Sequence, residues 1–347
     1  MATRNELLSP AMAKFDRALQ ALLDVLDEPA LAIESGTIIA ANNPAEALLG
    51  AGVQGGDVRL AIRNPKALSH ILPGTVGEVE ISGIGGFGRP WTLSIRDLSQ
   101  GRILVRFLDR SAAAAAEKIR VDFVANASHE LRTPLSAILG YAETLADDEE
   151  LDRATRIKFG RTIRGEARRM LQIIEDLMGL SRIEADRFVA PTESVSLVEI
   201  VRSSAEQLTS TNGAQIEVQA VGDIPTIVGD RAQLAQLADN LLSNALRYGS
   251  SGNGGPIRAS MERIEGAVRL SIADSGQGIP AEHLPRLTER FYRVDAARSR
   301  DSGGTGLGLA IVKHIVERHR GTLEIRSKVG EGTTVIVTLP VATVTKA

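Results

Sequence analysis

The sequence predicts a multidomain α+β protein, on three observations. The chain has 347 residues, enough for two or three domains that each bury a core. Short strand-like runs bounded by turn residues fill residues 1–110, and two long amphipathic stretches with helical periodicity fill residues 111–186. Residues 187–347 mix helical and strand patterns. We therefore expect three domains with these boundaries.

The composition is that of a globular protein without a polyanion-binding charge pattern. Hydrophobic residues make up 43% of the chain, and 40 basic against 43 acidic side chains give a formal net charge of -3. This balance predicts no direct nucleic-acid partner, since such binding depends on clustered positive charge. Cysteine is absent, which excludes disulfides, thiolate metal sites and thiol redox sensing. No apolar signal core and no run of about eighteen apolar residues occurs, so we expect no membrane span and a cytoplasmic location.

Residues 1–110 predict an amphipathic helix followed by a small antiparallel sheet with interleaved helices. The helix covers Ala11 to Leu26. Strand-like runs between turn residues are Ala30–Glu34, Thr37–Ala41, Val76–Ser82, Trp91–Arg96 and Ile103–Leu108. The segment from Leu26 to Ile33, followed by a strand and Asn42-Asn43-Pro44-Ala45, resembles a PAS sensor domain. The resemblance implies a PAS-like α/β sensor at the N-terminus.

The segment Ser128-His129-Glu130-Leu131-Arg132-Thr133 places an imidazole, a carboxylate and a hydroxyl close together on one helix. That helix is predicted by an apolar stripe at steps of three and four: Val124, Ala127, Leu131, Leu135, Ile138, Ala142 and Leu145. At about 100° per residue, His129 projects to solvent from the opposite face, with Thr133 on its face and Glu130 within reach of the imidazole. The arrangement suits phosphoryl chemistry, although an exposed helical histidine by itself is more often a solvated side chain.

Two long amphipathic stretches predict an antiparallel helical hairpin. The run Ala112–Ala116 leads into the histidine helix without a breaker, which fits a signalling helix and a passive spacer equally well. The second stretch covers Leu151 to Ile183, with apolar residues in heptad steps at Ile163, Ala167, Met170, Ile174 and Leu177. One hairpin cannot bury its stripe alone, so we expect two copies to pair as a four-helix bundle. The predicted assembly is a homodimer.

A helix from about Leu234 to Tyr248 carries polar residues that suit a phosphate and a metal ion. The apolar face that predicts this helix consists of Leu234, Ala238, Leu241, Leu242 and Ala245. Asn240, Asn244 and Arg247 fall within about 60° of each other on another face. The amide oxygen of Asn244 is a neutral ligand of the kind that Mg²⁺ accepts alongside water and phosphate oxygens. Taken alone, the same stripe is typical of a solvated helical face.

The segment from Val268 to Gly278 predicts a strand that ends in a buried carboxylate. Val268, Leu270 and Ile272 alternate inward, and Asp274 continues that parity. A buried carboxylate needs donors, and the exocyclic amine of adenine supplies one where guanine has a carbonyl, so the site should prefer ATP to GTP. We expect Gly276 and Gly278 to let the backbone approach the base closely.

A glycine-rich loop runs from Gly303 to Gly308 into an apolar helix. Backbone N–H groups of such a loop, together with the helix N-terminus, can bind phosphates, although a flexible turn has the same composition. Phe291-Tyr292-Arg293 and the polar stretch to Ser302 predict a mobile lid over the nucleotide. In this interpretation the two aromatic residues can equally well anchor the lid.

Five motifs in this order resemble those of the sensor histidine kinases of two-component systems, with the phosphate-regulon sensor type as the nearest in character. In chain order they are Phe123 to Leu135, Asp239 to Tyr248, Asp274 to Gly278, Glu289 to Arg293, and Gly304 to Gly308. Together they extend over roughly two thirds of the chain, which makes accidental agreement improbable. The resemblance implies a dimeric phosphotransfer hairpin followed by a Bergerat-type α/β sandwich ATPase domain, with ATP and Mg²⁺ as cofactors.

The resemblance also implies roles for individual residues. His129 accepts the phosphoryl group, Asn244 binds Mg²⁺, and Asp274 holds the adenine. The implied nucleotide-binding residues are Asn240, Asn244, Arg247, Tyr248, Asp274, Gly276, Gly278, Phe291, Arg293, Gly304, Thr305, Gly306, Leu307 and Gly308. We expect the neutral imidazole of His129 to attack the γ-phosphate of Mg-ATP, with Glu130 as base or orienter. The phosphoryl group would then pass to a receiver-domain aspartate of a cognate response regulator, and Thr133 would position water to dephosphorylate that regulator.

The chain departs from the family pattern at two points, and two other functions fit part of the sequence. Where the family often has His-Gly-Gly after its last helix, this chain has His319-Arg320-Gly321, on a turn that we do not expect to touch nucleotide. Relatives often cross the inner membrane, whereas no spanning segment is predicted here. An ATP-driven clamp of the same superfamily explains the nucleotide motifs but leaves the histidine hairpin unexplained. A non-catalytic scaffold or phosphatase would not need intact His129, Asn244 and Asp274.

Overall fold

A computed structural model describes residues 10–148, 150–185, 189–213, 215–249, 255–294 and 304–341. The chain divides into two compact units, Met1–Asp122 and Phe123–Ala347. Among the helices within the described ranges, none has an apolar stretch long enough to span a bilayer.

The N-terminal unit is built on a five-stranded antiparallel sheet in the order β2-β1-β5-β4-β3. Its strands are β1 (Ala30–Glu34), β2 (Thr37–Ala41), β3 (Gly77–Ser82), β4 (Pro90–Asp97) and β5 (Arg102–Asp109). Its helices are α1 (Pro10–Leu23), α2 (Asn43–Leu49), α3 (Val58–Ala61) and α4 (Pro65–Ile71). The five predicted strands are therefore confirmed, with ends that move by one residue at most.

A buried asparagine explains why α1 is shorter than predicted. The helix ends at Leu23 rather than Leu26. The side-chain amide of Asn42, which is fully buried, donates to the carbonyls of Leu23, Leu26 and Glu28. Its oxygen accepts from the backbone N–H of Ala30 at 2.9 Å. These bonds hold the chain in a turn after Leu23, and a periodicity argument does not register them.

Two long helices, α5 (Ser111–Asp147) and α6 (Arg153–Ala185), form the predicted antiparallel hairpin. Tyr141 packs on Phe159 with ring centroids 4.9 Å apart, and the side chains of Glu130 and Arg169 approach to 3.4 Å. The Glu130–Arg169 pair is farther from the connecting loop than the Tyr141–Phe159 pair on both helices, as expected for antiparallel packing. The second helix begins two residues later than predicted because Asp152 caps it, accepting from the backbone N–H of Ala154 at 2.7 Å.

Helix α6 has two apolar faces. Ile173, Leu180 and Ile183 are each at most 4% exposed, and the last two belong to the core of the domain that follows. Ile174 and Met178 keep 44% and 53% of their surface exposed. Within the predicted heptad stripe, Ala167 and Ile174 are exposed, whereas Ile163, Met170 and Leu177 are half-buried and Leu177 packs against that core.

The C-terminal part of the second unit is a five-stranded sheet covered by helices on one face. The sheet order is β11-β12-β10-β9-β7, antiparallel except that β7 runs parallel to β9, and β6 pairs with β8 in a separate ladder. The strands are β6 (Glu193–Val195), β7 (Ile216–Val221), β8 (Ile227–Gly229), β9 (Ile257–Ile264), β10 (Ala267–Asp274), β11 (Thr322–Lys328) and β12 (Gly332–Pro340). The helices are α7 (Leu197–Asn212), α8 (Arg231–Gly249) and α9 (Gly308–Arg318).

The core between sheet and helices follows the predicted patterns. Val268, Leu270 and Ile272 of the central strand β10 are buried, as their alternation predicts. All five apolar residues predicted for the inner face of α8 are buried as well: Leu234, Ala238, Leu241, Leu242 and Ala245. This packing sets the polar residues of α8 beside the end of β10.

Candidate active site

A cavity of about 750 Å³ lies between α6, α8, the end of β10 and the loop that enters α9. Eleven of the predicted nucleotide-binding residues line it: Asn240, Asn244, Arg247, Tyr248, Asp274, Gly278, Arg293, Gly304, Thr305, Gly306 and Gly308. Gly276, Phe291 and Leu307 are not among the lining residues. The structure thus gives one concave surface to motifs that are spread over residues 240–308 of the sequence.

Helix α8 supplies the side-chain amides of Asn240 and Asn244 to the cavity. Asp230 caps the helix, accepting from the backbone N–H of Ala232 at 3.0 Å. The side-chain nitrogen of Asn240 is buried and has no hydrogen-bond partner among the described residues. A buried amide without a partner is costly, so a polar ligand in this cavity would satisfy it. The oxygen of the same amide lies 3.4 Å from the Cβ position of Gly308, at ordinary van der Waals distance from the start of α9.

Asp274 closes the cavity at the end of β10. Its carboxylate accepts from the backbone N–H of Gly276 at 2.9 Å. Burial raises the pKa of the Asp274 carboxyl, while hydrogen bonds from the backbone N–H groups of Gly276 and Thr333 act in the opposite direction. A half-buried carboxylate with acceptor capacity left over suits an amine donor such as the one adenine carries.

Gly276 and Gly278 are needed for contacts within the protein. A Cβ on Gly276 would lie 2.4 Å from the carbonyl oxygen of Tyr248, and one on Gly278 would lie 2.0 Å from that of Lys328. Gly278 also has φ of 69°, which favours glycine. The structure therefore adds a second reason for glycine here, close approach to the end of α8 and to the β11–β12 turn. Approach of the backbone to a base stays a prediction.

The glycine loop is tied to the phenylalanine segment. The backbone N–H of Phe291 donates to the carbonyl of Gly306 at 2.8 Å, and a Cβ on Gly306 would lie 2.9 Å from the Phe291 backbone. Leu307 is fully buried and anchors the loop in the core. Phe291 faces the hairpin, where its ring centroid lies 5.9 Å from that of Phe123. Most of the predicted lid, residues 295–302, and Gly303 lie outside the described residues.

The predicted phosphoacceptor segment lies on the hairpin, on α5. His129 is exposed, and the hydroxyl of Thr133, one turn on, donates to the His129 carbonyl at 3.2 Å. Among the described residues, the Glu130 carboxylate contacts Arg293 at 3.0 Å and Arg169 at 3.4 Å, and not the imidazole of His129. The geometry expected for Glu130 is thus not found in this arrangement, because two guanidinium groups attract the carboxylate more strongly than a neutral ring.

Three cavity residues come from α6 and were missed by sequence reasoning: Gln172, Glu175 and Asp176. Asp176 is 6% exposed, and it accepts from the Thr305 hydroxyl at 2.7 Å and from the Gln172 amide at 2.9 Å. Burial raises the pKa of the Asp176 carboxyl. The hydrogen bonds from Thr305 and Gln172 act in the opposite direction but do not cancel this effect. The signal available in the sequence was a carboxylate in register with Ile173 and Leu180, on the face of the helix that is otherwise apolar.

His319 is placed away from the cavity, as expected for the turn after the last helix. It is 4% exposed, its Nε2 accepts from the backbone N–H of Asp230 at 3.0 Å, and its Nδ1 lies 2.8 Å from the carbonyl oxygen of Ile315. It joins the end of α9 to the start of α8.

An exposed histidine on a hairpin, beside a cavity lined by the predicted nucleotide-binding residues, is the arrangement expected of proteins that transfer phosphoryl groups through histidine. The comparisons agree: residues 119–186 match the His Kinase A (phospho-acceptor) domain, and residues 229–343 match the histidine kinase-, DNA gyrase B-, and HSP90-like ATPase family. The chain thus contains the phospho-acceptor and ATPase domains of histidine kinases, and it is homologous to sensor histidine kinases of two-component systems.

Three relatives illustrate the family. Phosphate regulon sensor protein PhoR of Pseudomonas aeruginosa is 41% identical over 221 residues, which are 63% of this chain and 49% of the relative. SenX3 of Mycolicibacterium smegmatis is 37% identical over 239 residues, 67% of this chain and 60% of the relative. WalK of Bacillus subtilis is 35% identical over 223 residues, 64% of this chain and 36% of the relative. The chain therefore spans about half of the length of these curated relatives.

The ATPase family implies ATP as the nucleotide. The donor set also fits a Mg²⁺ ion that arrives with its phosphates, because Asn244 lines the cavity and an amide oxygen is a ligand that Mg²⁺ accepts. Within the described ranges, no cluster of three carboxylate or histidine side chains could hold a metal ion by itself. A divalent ion at this site would thus take most of its ligands from phosphate oxygens and water.

Proposed function

We propose that this chain is an ATP-dependent protein-histidine kinase that phosphorylates His129. One observation carries the proposal: His129 is exposed, and the residue that follows it on α5, Glu130, contacts Arg293 in the wall of the nucleotide cavity. A ring nitrogen of neutral His129 attacks the γ-phosphorus in line, the bond to the bridging oxygen breaks, and ADP leaves. Glu130 accepts the proton from the other ring nitrogen or orients the ring once Arg293 releases it.

The cavity residues hold and orient the nucleotide in this proposal. Asp274 accepts from the adenine amine, which favours ATP over GTP. The amides of Asn240 and Asn244 and the guanidinium groups of Arg247 and Arg293 face the phosphates, and Asn244 ligates Mg²⁺ when the ion is bound. The metal would neutralise charge on the phosphates, and the backbone of residues 304–308 would donate to their oxygens.

The remaining predicted features complete the proposal. The domains are a sensor at residues 1–110, a signalling helix and phosphotransfer hairpin at 111–186, and a Bergerat-type ATPase domain at 187–347. The antiparallel sheet and inserted helices of the first unit support a PAS-like sensor. The phosphoryl group passes from His129 to the receiver-domain aspartate of a response regulator, and Thr133, exposed one turn from His129, positions water for the regulator's dephosphorylation.

A homodimer is supported by the exposed apolar face of the hairpin. Leu135 and Leu139 of α5 are 45% and 53% exposed in the single chain, as are Leu171 and Met178 of α6 at 59% and 53%. Aliphatic surface of this extent on two adjacent helices is typical of a bundle interface. Leu135→Glu is expected to yield a monomer in sedimentation, and a dimer of unchanged affinity would count against this assembly.

The kinase proposal is tested by incubation with γ-labelled ATP. We expect label that survives base and is lost in acid, and that is absent from His129→Gln. Equal labelling of that variant would refute the assignment. Steady hydrolysis of ATP without stable label would favour a clamp-type ATPase instead, and failure to bind ATP would favour a scaffold or phosphatase.

A further inference from the structure

The hairpin contributes acidic groups to the wall of the nucleotide cavity. Glu175 and Asp176 of α6 line it beside the glycine loop. The Oδ2 atom of Asp176 accepts from the Thr305 hydroxyl at 2.7 Å, and Thr305 in turn accepts from the backbone N–H of Leu307 at 3.3 Å. A buried carboxylate on the hairpin thus fixes the conformation of the loop at the start of α9.

The other hairpin helix holds the same loop. Arg293 contacts the carboxylate of Glu130 at 3.0 Å and also donates to the carbonyl of Gly304. One carboxylate from α5 and one from α6 therefore occupy Arg293 and Thr305, two groups that a nucleotide phosphate would use. The side chain of Arg293 is only 8% exposed, so water screens this pairing weakly.

The negative charge of a bound nucleotide would oppose the contacts that Glu130 and Asp176 make with the loop. A triphosphate brings several negative charges into a cavity already lined by Glu175, Asp176, Asp239 and Asp274. Like charges a few Å apart repel, and the repulsion grows as water is excluded. The positive charge of Arg293 is shared with Glu130 for as long as the hairpin contact lasts. Phosphates and hairpin carboxylates therefore compete for the same donors.

We propose that Asp176 is a positioning residue that opposes nucleotide binding: it holds Thr305 while the loop contacts α6, and a bound triphosphate takes its place. This inference rests on the proposed function. It adds that the hairpin responds to a bound nucleotide through Asp176. Nucleotide binding releases the glycine loop from α6. Linkage requires the reciprocal effect, so removal of the carboxylate tightens nucleotide binding.

The test is the dissociation constant of a non-hydrolysable ATP analogue for the full chain, measured by calorimetry with and without Mg²⁺. Asp176→Asn removes the charge but keeps an oxygen for Thr305, and Asp176→Ala removes both. We expect both variants to bind roughly fivefold or more tightly than wild type, in either condition. Glu143→Gln, at an exposed carboxylate of α5, makes the same charge change away from the cavity and should leave the constant unaltered.

Unchanged or weaker binding by folded Asp176 variants would overturn the inference, and weakening confined to Mg²⁺ would make Asp176 a metal ligand instead. A wild-type chain that binds no nucleotide would refute the proposed function. If neither variant folds, hydrogen exchange in the wild-type chain decides: the analogue should speed exchange in residues 172–180 of α6. Unchanged or slower exchange there would again overturn the inference.

Discussion

The carboxylate of Glu130 lies 3.0 Å from the guanidinium of Arg293, which lines the nucleotide cavity. The two residues are 163 positions apart in sequence, and Glu130 directly follows His129. Their side chains are 30% and 8% exposed, so the pair is more sheltered than an ordinary surface salt bridge. For Glu130 to act on the imidazole of His129, it must first leave Arg293. The arrangement described here therefore keeps the proposed base away from the proposed nucleophile.

Substitution of Glu130 separates its two roles. Glu130→Gln is expected to lower the initial rate of autophosphorylation at saturating ATP by about 10²- to 10⁴-fold, because an amide cannot act as a base. Nucleotide affinity should not fall, since Arg293 loses a competing anion. The rate is measured with labelled ATP and the affinity by calorimetry. Glu143→Gln on the same helix serves as control, and a rate within twofold of wild type would rule out a role for Glu130 as base.

The carboxylate of Asp274 is expected to set the preference for adenine. In Asp274→Asn the amide can donate as well as accept, so the carbonyl of guanine is no longer rejected by an unpaired anion. We expect the ratio of the GTP to the ATP dissociation constant to fall about tenfold or more. Competition binding with the two nucleotides measures it, and Asp223→Asn, at an exposed carboxylate of the same domain, should leave the ratio as it is. An unaltered ratio in Asp274→Asn would mean that base selection lies elsewhere.

Local pattern predicted the secondary structure well and the tertiary contacts poorly. Alternation placed Val268, Leu270 and Ile272 inward because a strand has a strict period of two. Neither the Asp176–Thr305 bond nor the Glu130–Arg293 contact has a local signature, since each joins segments more than a hundred residues apart. Periodicity could mark Asp176 as facing a core, but only the fold shows that the glycine loop lies opposite it.

The two glycines of the first glycine motif were predicted as necessary for approach to a base, and the structure adds close contacts within the protein. Gly278→Ala is expected to destabilise the ATPase domain and weaken ATP binding, because the new Cβ would lie 2.0 Å from the carbonyl of Lys328. Gly266→Ala is a matched control, with φ of 67° against 69° and nothing within 4 Å of its Cβ position. The control should lose only about 1–2 kcal/mol of unfolding free energy from its backbone conformation. Thermal unfolding and ATP titration check both, and equal losses in the two variants would show that φ alone matters.

Buried His319 is expected to make the ATPase domain sensitive to mild acid. Because the backbone N–H of Asp230 can only donate, Nε2 must be unprotonated, and Nδ1 carries the proton toward the Ile315 carbonyl. Burial lowers the pKa of His319 below its usual value, with nearby Arg318 acting in the same direction and Ile315 and Asp230 against it. Below about pH 6.5 the unfolded chain binds a proton that the folded chain does not, so the free energy of unfolding falls as pH falls through that range.

His319→Gln tests this sign, because glutamine can accept from Asp230 but does not titrate. The variant should be less stable than wild type at about pH 7.5, by roughly 1 kcal/mol for an imperfect buried bond. Its midpoint of thermal unfolding should then fall less between about pH 7.5 and pH 5.5 than that of the wild type. His70→Gln, in the N-terminal unit, should keep the wild-type slope for the ATPase transition. If His319→Gln also keeps the wild-type slope, the acid sensitivity does not come from His319, which joins α9 to α8.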